Sequence, residues 1–391
     1  MKKGKIISRQ LITSISDQLK KYPIIALTGP RQSGKTTLLR DLLPSYQYIS
    51  LENPDQRSFA NEDAVGFLEK YNSKIIFDEV QKAPNLFSYM QTLVDESGEM
   101  GQFVLSGSQN FHLLEKITQS LAGRVSIFKL FPFDFEELRR ARLLPDHWHL
   151  TLIKGFYPAI YDRHLDPTRY YSNYLQTYVN RDVTELVNIH DHRRFDNFIR
   201  LCAGRAGQLL NIGNIANECG ISQPTAKSWL SILESSYIIF LLPPYFENFN
   251  KRIVKTPKLY FYDVGLLSFL LGLRQTEDMD NNQMGVLFEN LIVSEIQKRN
   301  HHQYTLNDYW FWRDSNGNEI DLITKIGNKY SLTEIKSTQT ILPKLFKSLD
   351  YFDNLTDIKK INKNLIYGGV ENQQRTKYKI IGWNMLESKT Q

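Results

Sequence analysis

Residues 22–40 read YPIIALTGPRQSGKTTLLR. The apolar run at residues 24–27 predicts a buried strand, and residues 29–36 form the phosphate-loop pattern G-x-x-x-x-G-K-[ST]. Its glycines let the backbone curl so that successive N–H groups face phosphate oxygens, and the helix that follows turns its positive end toward the anion. The stretch therefore predicts a site for ATP and Mg²⁺ built from Gly29, Pro30, Arg31, Gln32, Ser33, Gly34, Lys35, Thr36 and Thr37, in which Lys35 supplies charge and Thr36 a metal ligand.

A second motif, KIIFDE at residues 74–79, places two carboxylates at the end of a short apolar strand. Asp78 is predicted to hold Mg²⁺ through water beside Thr36. Glu79 is predicted to activate the attacking water as a general base. An apolar run followed by two acids is also typical of an ordinary strand end. Its place after the phosphate loop, with a strand and a helix over residues 56–71 between them, favours the catalytic interpretation.

Three further residues are candidates for contact with the nucleotide. Gln109, after Ser108 at the polar tip of the strand at residues 102–107, is predicted to sense the γ-phosphate; the alternative is an ordinary turn. Arg124 is predicted to act as an arginine finger on a neighbouring subunit, which requires a homo-oligomer; the alternative is a surface arginine. Arg181 is a second candidate for the same role, or a member of a local ion network.

Length and composition limit the class of protein. The chain has 391 residues, which predicts two or three domains because single cores rarely grow past about 250–300 residues. Forty-eight Lys and Arg against forty-two Asp and Glu give +6, which permits double-stranded DNA as a partner without requiring it. Two cysteines form no disulfide framework, so we expect a cytoplasmic protein. The apolar runs are too short to cross a bilayer, and no membrane association is expected.

Residues 151–275 are predicted to be a helical region. Tyr170, Tyr171, Tyr174 and Tyr178 share one helix side, which is more typical of a buried face than of a base-stacking platform. Residues 212–233 have helix-turn-helix form, with Gly220 at the turn. One interpretation is contact with the DNA major groove; the other is a winged helix that only packs against the ATPase core. The DNA candidates are Gln223, Thr225, Lys227 and Ser228, with Lys251 and Arg252 on a basic ribbon that follows.

Residues 276–391 change to an α/β pattern with a third acidic group. Asp321 and Glu334 are predicted to lie on neighbouring strands, with Lys336 on the same face as Glu334. Two carboxylates and a lysine can bind one Mg²⁺ and activate water against a phosphodiester, and Glu289 is predicted to complete the site from a helix. The alternative is a solvated pair of strands with ordinary charges.

The order of these motifs resembles the prokaryotic predicted ATPases that join an AAA-type phosphate-loop domain to a C-terminal domain of unknown function. The resemblance covers nearly the whole chain. It rests on the stretches GPRQSGKT, IIFDEVQ, LSGSQN, LAGRV, YVNRDV, GQLLNIGNIANECGIS, LLPPY, KRIVKTPKLYFYDVGL, FENLIVSEI, EID and EIKS. It implies ATP binding and hydrolysis, a winged-helix element and a C-terminal core similar to restriction-endonuclease-like nucleases, whose pattern Asp321, Glu334 and Lys336 match.

The predicted fold is α/β in three parts: a phosphate-loop ATPase domain with a parallel, AAA- or RecA-like sheet at residues 1–150, a helical region with a winged helix-turn-helix at 151–275, and a small restriction-endonuclease-like α/β domain at 276–391. The predicted function is Mg²⁺-dependent ATP hydrolysis that acts on DNA or is regulated by it. Two alternatives remain open: an ATP-gated DNA nuclease, and an ATP-dependent switch or scaffold that binds protein partners.

Overall fold

The computed structural model describes residues 6–107, 120–178, 191–246, 254–356 and 358–386. Five residues singled out above lie outside these ranges: Ser108, Gln109, Arg181, Lys251 and Arg252. Within the described ranges, none of the helices combines the length and the apolar character that crossing a bilayer requires.

The N-terminal part is built on a sheet of five parallel strands in the order β2-β3-β4-β1-β5. The three inner strands are buried along their whole length, because helices cover both faces. Parallel pairing brings the carboxyl ends of all five strands to one edge, so the predicted parallel α/β core is confirmed. The strands are β1 Ile24–Thr28, β2 Gln47–Ser50, β3 Ile75–Asp78, β4 Phe103–Gly107 and β5 Val125–Lys129.

Helices around this sheet differ from the sequence prediction at one point. The single helix expected over residues 56–71 is two helices, because Asp63 leaves the helical conformation and its carboxylate accepts a hydrogen bond from the Gly66 amide. Aspartate at a helix start satisfies an amide that has no partner inside the helix. The helices are α1 Leu11–Gln18, α2 Lys35–Leu42, α3 Pro54–Glu62, α4 Ala64–Lys70 and α5 Leu86–Ser97, with a 3₁₀ turn at Val80–Lys82.

The middle of the chain is mainly helical, as expected. Tyr170, Tyr171, Tyr174 and Tyr178 are all buried, which confirms the prediction of a core-facing helix side. The elements are α6 Phe135–Arg140, α7 Trp148–Lys154, α8 Pro158–Asp162, α9 Pro167–Tyr174, α10 His192–Ala203, α11 Ile212–Cys219, α12 Gln223–Ser235, β6 Ile239–Leu242, β7 Lys258–Phe261 and α13 Val264–Leu270, with a 3₁₀ turn at Thr276–Asp278.

A short turn joins α11 to α12, and an antiparallel hairpin follows them. Gly220 takes a left-handed conformation with φ of 66°, which a glycine adopts without steric cost. Ser222 caps α12 by accepting a hydrogen bond from the Thr225 amide at 3.2 Å. β6 and β7 then pair with each other, and Leu242 lies opposite Lys258. Tyr237, just before β6, shares a 2.8 Å hydrogen bond with the hydroxyl of Thr28 at the end of β1.

The C-terminal part is a mixed sheet of six strands in the order β12-β13-β11-β10-β9-β8. β9 runs antiparallel to both β8 and β10, whereas β10, β11 and β13 are parallel. The elements are α14 Asn281–His302, β8 Asp308–Arg313, β9 Glu319–Ile326, β10 Lys329–Lys336, α15 Lys347–Asp353, β11 Ile361–Tyr367, β12 Gln373–Gln374 and β13 Lys379–Gly382, with 3₁₀ turns at Pro343–Phe346 and Trp383–Met385.

One hydrophobic core joins the helical region to the C-terminal part. It begins at Phe131 and includes Tyr171, Leu287, Phe311 and Trp383, which come from both parts of the chain. The phosphate-loop sheet has separate cores on its two faces. The chain therefore passes from the cores of the phosphate-loop sheet to the shared core at Phe131, ahead of the predicted boundary at residue 150. The domain boundaries themselves stay a prediction.

A buried network of charged side chains ties the phosphate-loop sheet to α14. Arg9 donates from Nε to Glu137 at 3.0 Å and from Nη1 to the carbonyl of Ser33, inside the phosphate loop, at 2.8 Å. Asp134 and Glu137 form a reciprocal capping box at the start of α6. His302, at the end of α14, bonds Asp134 through Nδ1 at 2.7 Å. Burial disfavours the charged form of Asp134, yet the hydrogen bond to His302 holds the pKa of its carboxyl at about 2.

The same group has the composition of a metal site, since ligand atoms of Asp134, Glu137 and His302 lie within 4.8 Å of one another. Both ring nitrogens of His302 are already engaged, because Nε2 accepts a 3.1 Å hydrogen bond from the Phe131 amide. The imidazole therefore donates from Nδ1 and accepts at Nε2, which is the role of a structural histidine.

We predict that His302→Ala lowers the free energy of unfolding by about 3 kcal/mol, because the buried Asp134 carboxylate loses one of its donors and the buried Phe131 amide loses its acceptor. Urea denaturation followed by circular dichroism measures the change. Lys21→Ala is the control, since both members of its ion pair with Asp17 are exposed and water screens their attraction, so its loss should change stability much less. Equal losses in the two variants would contradict a structural role for the network.

Candidate nucleotide site and a second carboxylate cluster

The phosphate loop curls at the carboxyl end of β1. Gly29 has a φ of 146°, and a Cβ there would lie 2.1 Å from the carbonyl oxygen of Leu130, so only glycine fits. Gln32 and Gly34 also have positive φ, at 62° and 96°. Lys35 opens α2 and folds back over the loop, where its Nζ donates to the carbonyls of Gly29 at 2.8 Å and Pro30 at 2.9 Å. These contacts hold a buried ammonium at the position where phosphate oxygens would bind.

Burial changes the acidity of Lys35. Because desolvation disfavours the ammonium, the pKa of Lys35 falls to about 8, although the neighbouring Glu79 and Asp78 carboxylates act in the opposite direction. The lysine is therefore charged at neutral pH and loses its proton under mildly alkaline conditions.

Asp78 lies at the end of β3, directly beside the phosphate loop. Its carboxylate accepts a 3.1 Å hydrogen bond from the Thr36 hydroxyl and further hydrogen bonds from the hydroxyls of Tyr48 and Ser106. Burial and the Asp78 charge raise the pKa of Tyr48 to about 12, so its phenol stays a donor. A hydroxyl and a carboxylate in contact form the oxygen-rich ligand set that suits Mg²⁺.

Glu79 follows in an uncommon backbone conformation. Its φ of 54° and ψ of 43° are left-handed, which costs a non-glycine residue on the order of 1 kcal/mol. The side chain is half-buried at the cleft and accepts a hydrogen bond from the side-chain Nε2 of Gln81. This turn keeps the second carboxylate beside the phosphate loop.

The site is a cleft of about 540 Å³ with two walls. The phosphate loop, Asp78 and Glu79 form one wall. The other wall comes from the helical region and contains Pro158, Asp162, Arg163, Tyr170, Asn173 and Tyr174. The sequence did not predict this second wall, because no motif marks it.

An adjacent cavity of about 360 Å³ shares Gly34 and Thr37 with the cleft. Its lining is largely apolar and includes Ile6, Ile7 and Phe133. Two carboxylates, Asp41 and Asp162, also line it. The combined space therefore has a polar compartment at the phosphate loop and an apolar one next to it.

The arginine candidates occupy different places. Arg31 lies in the cleft, 3.7 Å from Glu52. Arg124 immediately precedes β5, and the first residue of β5 pairs with Ile24 at the start of β1. Arg124 therefore lies at the amino ends of the strands, about 16 Å from the phosphate loop at their carboxyl ends. There it forms two hydrogen bonds of 2.6 Å to Asp95. Arg124 thus does not contact the cleft of its own chain, and its role on a neighbouring subunit stays a prediction.

The DNA candidates within the described ranges lie on α12. Gln223, Lys227 and Ser228 are exposed, and Thr225 is half-buried with its hydroxyl 2.7 Å from that of Ser222. Residues of this helix that face inward are apolar, among them Trp229 and Leu230. Contact with DNA through this face stays a prediction.

A second group of charged residues lies on the C-terminal sheet. Lys336 donates to Asp321 at 2.9 Å and lies 2.9 Å from Glu334, so the structure brings these three predicted residues together. Asp321 also accepts a 2.7 Å hydrogen bond from the Ile335 amide. Burial and the Asp321 charge raise the pKa of Glu334 to about 8. Its Oε2 atom is buried and has no hydrogen-bond partner among the residues that the structure describes.

Glu289 reaches the same cluster from α14, where it has partners that the sequence did not predict. Lys258 of β7 lies 3.0 Å from its Oε1, and the Tyr260 hydroxyl donates to the same oxygen at 2.6 Å. Lys258 also bonds Glu319 of β9. Burial opposes the charge of Lys258, but these carboxylates raise its pKa above the ordinary value. Lys258 and Tyr260 share one side of β7, which is the one sequence feature that could have linked them.

Comparison with known families divides the chain into three matched ranges. Residues 21–139 match the AAA domain family, residues 145–277 a domain of unknown function (DUF8612), and residues 284–386 another domain of unknown function (DUF4143). Residues 21–139 are therefore similar to AAA domains, and the two ranges that follow are similar to families described as domains of unknown function.

Two mycobacterial proteins match most of the chain. The uncharacterized proteins Rv2008c of Mycobacterium tuberculosis and Mb2031c of Mycobacterium bovis are each 28% identical to this chain over 356 residues, which is 90% of this chain and 78% of either relative. Among solved structures, a Walker-type ATPase of Pyrococcus abyssi is 17% identical, with a TM-score of 0.45, and covers 68% of this chain and 96% of its own. RuvB of Thermotoga maritima is 16% identical, with a TM-score of 0.31, over 60% and 89%.

We predict that the protein takes up a proton when it binds ATP at pH 9, and that this proton uptake is small at pH 7. Above pH 8 the free Lys35 is largely neutral, whereas bound phosphates favour its ammonium form, so affinity for ATP should fall as pH rises from 8 to 9. Calorimetry at pH 9 in two buffers of different ionisation enthalpy measures the proton. In Lys35→Arg, whose guanidinium stays charged, binding should be free of this uptake. ATP binding by the wild type at pH 9 without proton uptake would contradict the assignment.

Proposed function

We propose that this protein binds and hydrolyses ATP with Mg²⁺. The observation that carries the proposal is the convergence of Lys35, Thr36, Asp78 and Glu79 on one cleft beside the phosphate loop. Lys35 exchanges its bonds to the loop carbonyls for bonds to phosphate oxygens. Thr36 and Asp78 are the oxygen donors that would hold Mg²⁺, which would neutralise phosphate charge. Glu79 accepts a proton from the attacking water.

The cavity next to the cleft supports a purine base as the rest of the ligand. Ile6, Ile7 and Phe133 offer apolar surface that a flat base covers. The carboxylates of Asp41 and Asp162 accept hydrogen bonds from an amino group and repel a carbonyl oxygen. Both purines carry an amino group that these carboxylates could bind, so the choice of adenine rests on the likeness of residues 21–139 to the AAA domain family.

The helical region contributes an arginine through which it could respond to the phosphates of the nucleotide. Arg163 lines the cleft from that region, so phosphates bound by Lys35 would also attract its guanidinium. Loss of the terminal phosphate on hydrolysis would weaken this attraction. We therefore propose that the nucleotide state controls how the helical region sits against the sheet.

We predict that Glu79→Gln binds ATP like the wild type but hydrolyses it at least about 100-fold more slowly, because the amide cannot accept the proton of water. Lys35→Ala should lose nucleotide affinity itself. Phosphate release and binding of a fluorescent ATP analogue measure the two effects separately. Hydrolysis by Glu79→Gln at the wild-type rate would rule out Glu79 as the base.

We also propose that the protein acts on DNA in the cytoplasm. The ATP hydrolysis assay with added duplex DNA tests this part of the proposed function. Helices α10 to α12 and the β6–β7 hairpin follow one another in the order of a winged helix, and the exposed face of α12 carries Gln223, Lys227 and Ser228. A Lys35-dependent rate that rises with DNA at low salt supports DNA as the partner. A rate that DNA does not change favours the switch or scaffold that binds protein partners. Assembly into a homo-oligomer would make Arg124 available to a neighbouring subunit.

A second candidate function, ATP-gated cleavage of DNA, rests on one observation in the C-terminal part. The unpartnered Oε2 of Glu334, beside Asp321 and Lys336, is a buried acceptor that a divalent cation would satisfy. Strands β8 to β10 between α14 and α15 have the order of elements that a restriction-endonuclease-like core requires. Asp321 and Glu334 would bind the cation, and Lys336 would stabilise charge on the phosphodiester.

We predict that the protein nicks plasmid DNA when Mg²⁺ or Mn²⁺ is present with ATP, and that Asp321→Ala abolishes nicking because the cation loses a ligand. Agarose electrophoresis of supercoiled plasmid measures the reaction. Asp350→Ala is the matched control, since this carboxylate also pairs with a lysine, Lys363 at 2.8 Å, but lies outside the cluster. Nicking that survives in Asp321→Ala would assign it to another site or to a contaminant.

A further inference from the structure

In the C-terminal cluster, two lysines each contact two of the four carboxylates. Lys336 lies 2.9 Å from Asp321 and 2.9 Å from Glu334. Lys258 lies 3.0 Å from Glu289 and also bonds Glu319. Each ammonium therefore joins a pair of carboxylates, and we call the Lys258 pair, Glu289 and Glu319, the inner half of the cluster.

The inner half is closed by a residue from another part of the chain. Lys258 belongs to the hairpin of the helical region, whereas Glu289 and Glu319 belong to α14 and β9. Its side chain is only 3% exposed, compared with 36% for Lys336. Lysine is rarely buried unless it is paired. Its position is therefore fixed by the two carboxylates that it joins.

The two halves differ in how completely their oxygens are satisfied. In the inner half, Glu289 Oε1 accepts hydrogen bonds from Lys258 and from the Tyr260 hydroxyl. Glu319 forms ion pairs with Lys258 and with Arg313, the second at 3.2 Å. In the other half, Glu334 keeps the buried Oε2 that has no partner within the described ranges. Either ammonium occupies the space that a divalent cation would take between its two carboxylates. Lys258 is almost fully buried, whereas Lys336 is 36% exposed, so only Lys336 can turn toward solvent and make room for a cation.

We propose that Lys258 is an internal counter-cation that fills the inner half of the cluster and confines a divalent cation to the half formed by Asp321 and Glu334. The inference rests on the cation site of the second candidate function. It adds that a residue of the helical region limits the number of cations that the cluster accepts. Glu289 then serves to hold Lys258 rather than to bind the cation, which departs from the role that the sequence predicted for it.

The test counts the Mn²⁺ ions bound by the full chain without nucleotide, by calorimetry and by the electron paramagnetic resonance signal of free Mn²⁺. Lys258→Met keeps the length of the side chain and removes its charge. We expect this variant to bind one more Mn²⁺ than the wild type, because Glu289 and Glu319 become free to bind it. Lys363→Met is the control. Lys363 also joins two carboxylates, but Asp350 and Asp353 are 45% and 36% exposed, so water can replace the ammonium and this variant should bind the wild-type number.

The comparison between variants separates this inference from the function on which it rests. Any Mn²⁺ held by Thr36 and Asp78 is common to all variants and cancels in the difference. A wild-type number that Asp321→Asn does not reduce would refute the cation site of the second candidate function. Equal numbers in Lys258→Met and the wild type would overturn the role of Lys258 while leaving that site intact.

Loss of Lys258 also brings two carboxylates together without their counter-cation, so folding of the variant is itself informative. A Lys258→Met protein that is unfolded in EDTA and folded in Mn²⁺, by circular dichroism, supports the inference because Mn²⁺ replaces the ammonium. A protein that Mn²⁺ does not restore would overturn it, because the inner half then does not accept a cation.

Discussion

Pairing of charges away from water is the constraint on which the rest of the structure depends. Arg9, Glu137, Asp134 and His302 join the N-terminal segment, α6 and α14 through hydrogen bonds that water does not compete for. Because Arg9 also binds the carbonyl of Ser33, the curvature of the phosphate loop is coupled to the position of α14. An unpaired member would carry a large desolvation cost, so each element can take only the place that completes the network.

Local chemistry made some of this structure predictable from sequence. The phosphate loop and the acidic pair are short runs whose function depends on neighbours in the chain, and the parallel sheet followed from the strands around them. Asp63 shows where such reasoning fails, because a cap competed with helix propensity and divided one expected helix into two. Arg163 and Lys258 could not be found in this way. Each meets its partners only after distant segments pack together, and neither lies in a motif that carries its function.

The nucleotide cleft shows why a motif describes only part of a site. The sequence motif supplies the wall that is predicted to bind phosphate. The opposite wall, with Arg163, Tyr170 and Asn173, would determine what a change in the nucleotide moves under the function proposed above. In this chain that wall belongs to the same continuous core as α14 and part of the C-terminal sheet, so a displacement at the cleft would be transmitted to a packed body rather than to a loop.

Lys258 lies in the range matched by one family, and the carboxylates that it joins lie in the range matched by another. The boundary between the two matched ranges therefore separates Lys258 from the carboxylates with which it pairs. A fragment that begins at residue 284 would keep Glu289 and Glu319 but lose the lysine that joins them. The two ranges are thus a single electrostatic unit, and one is complete only in the presence of the other.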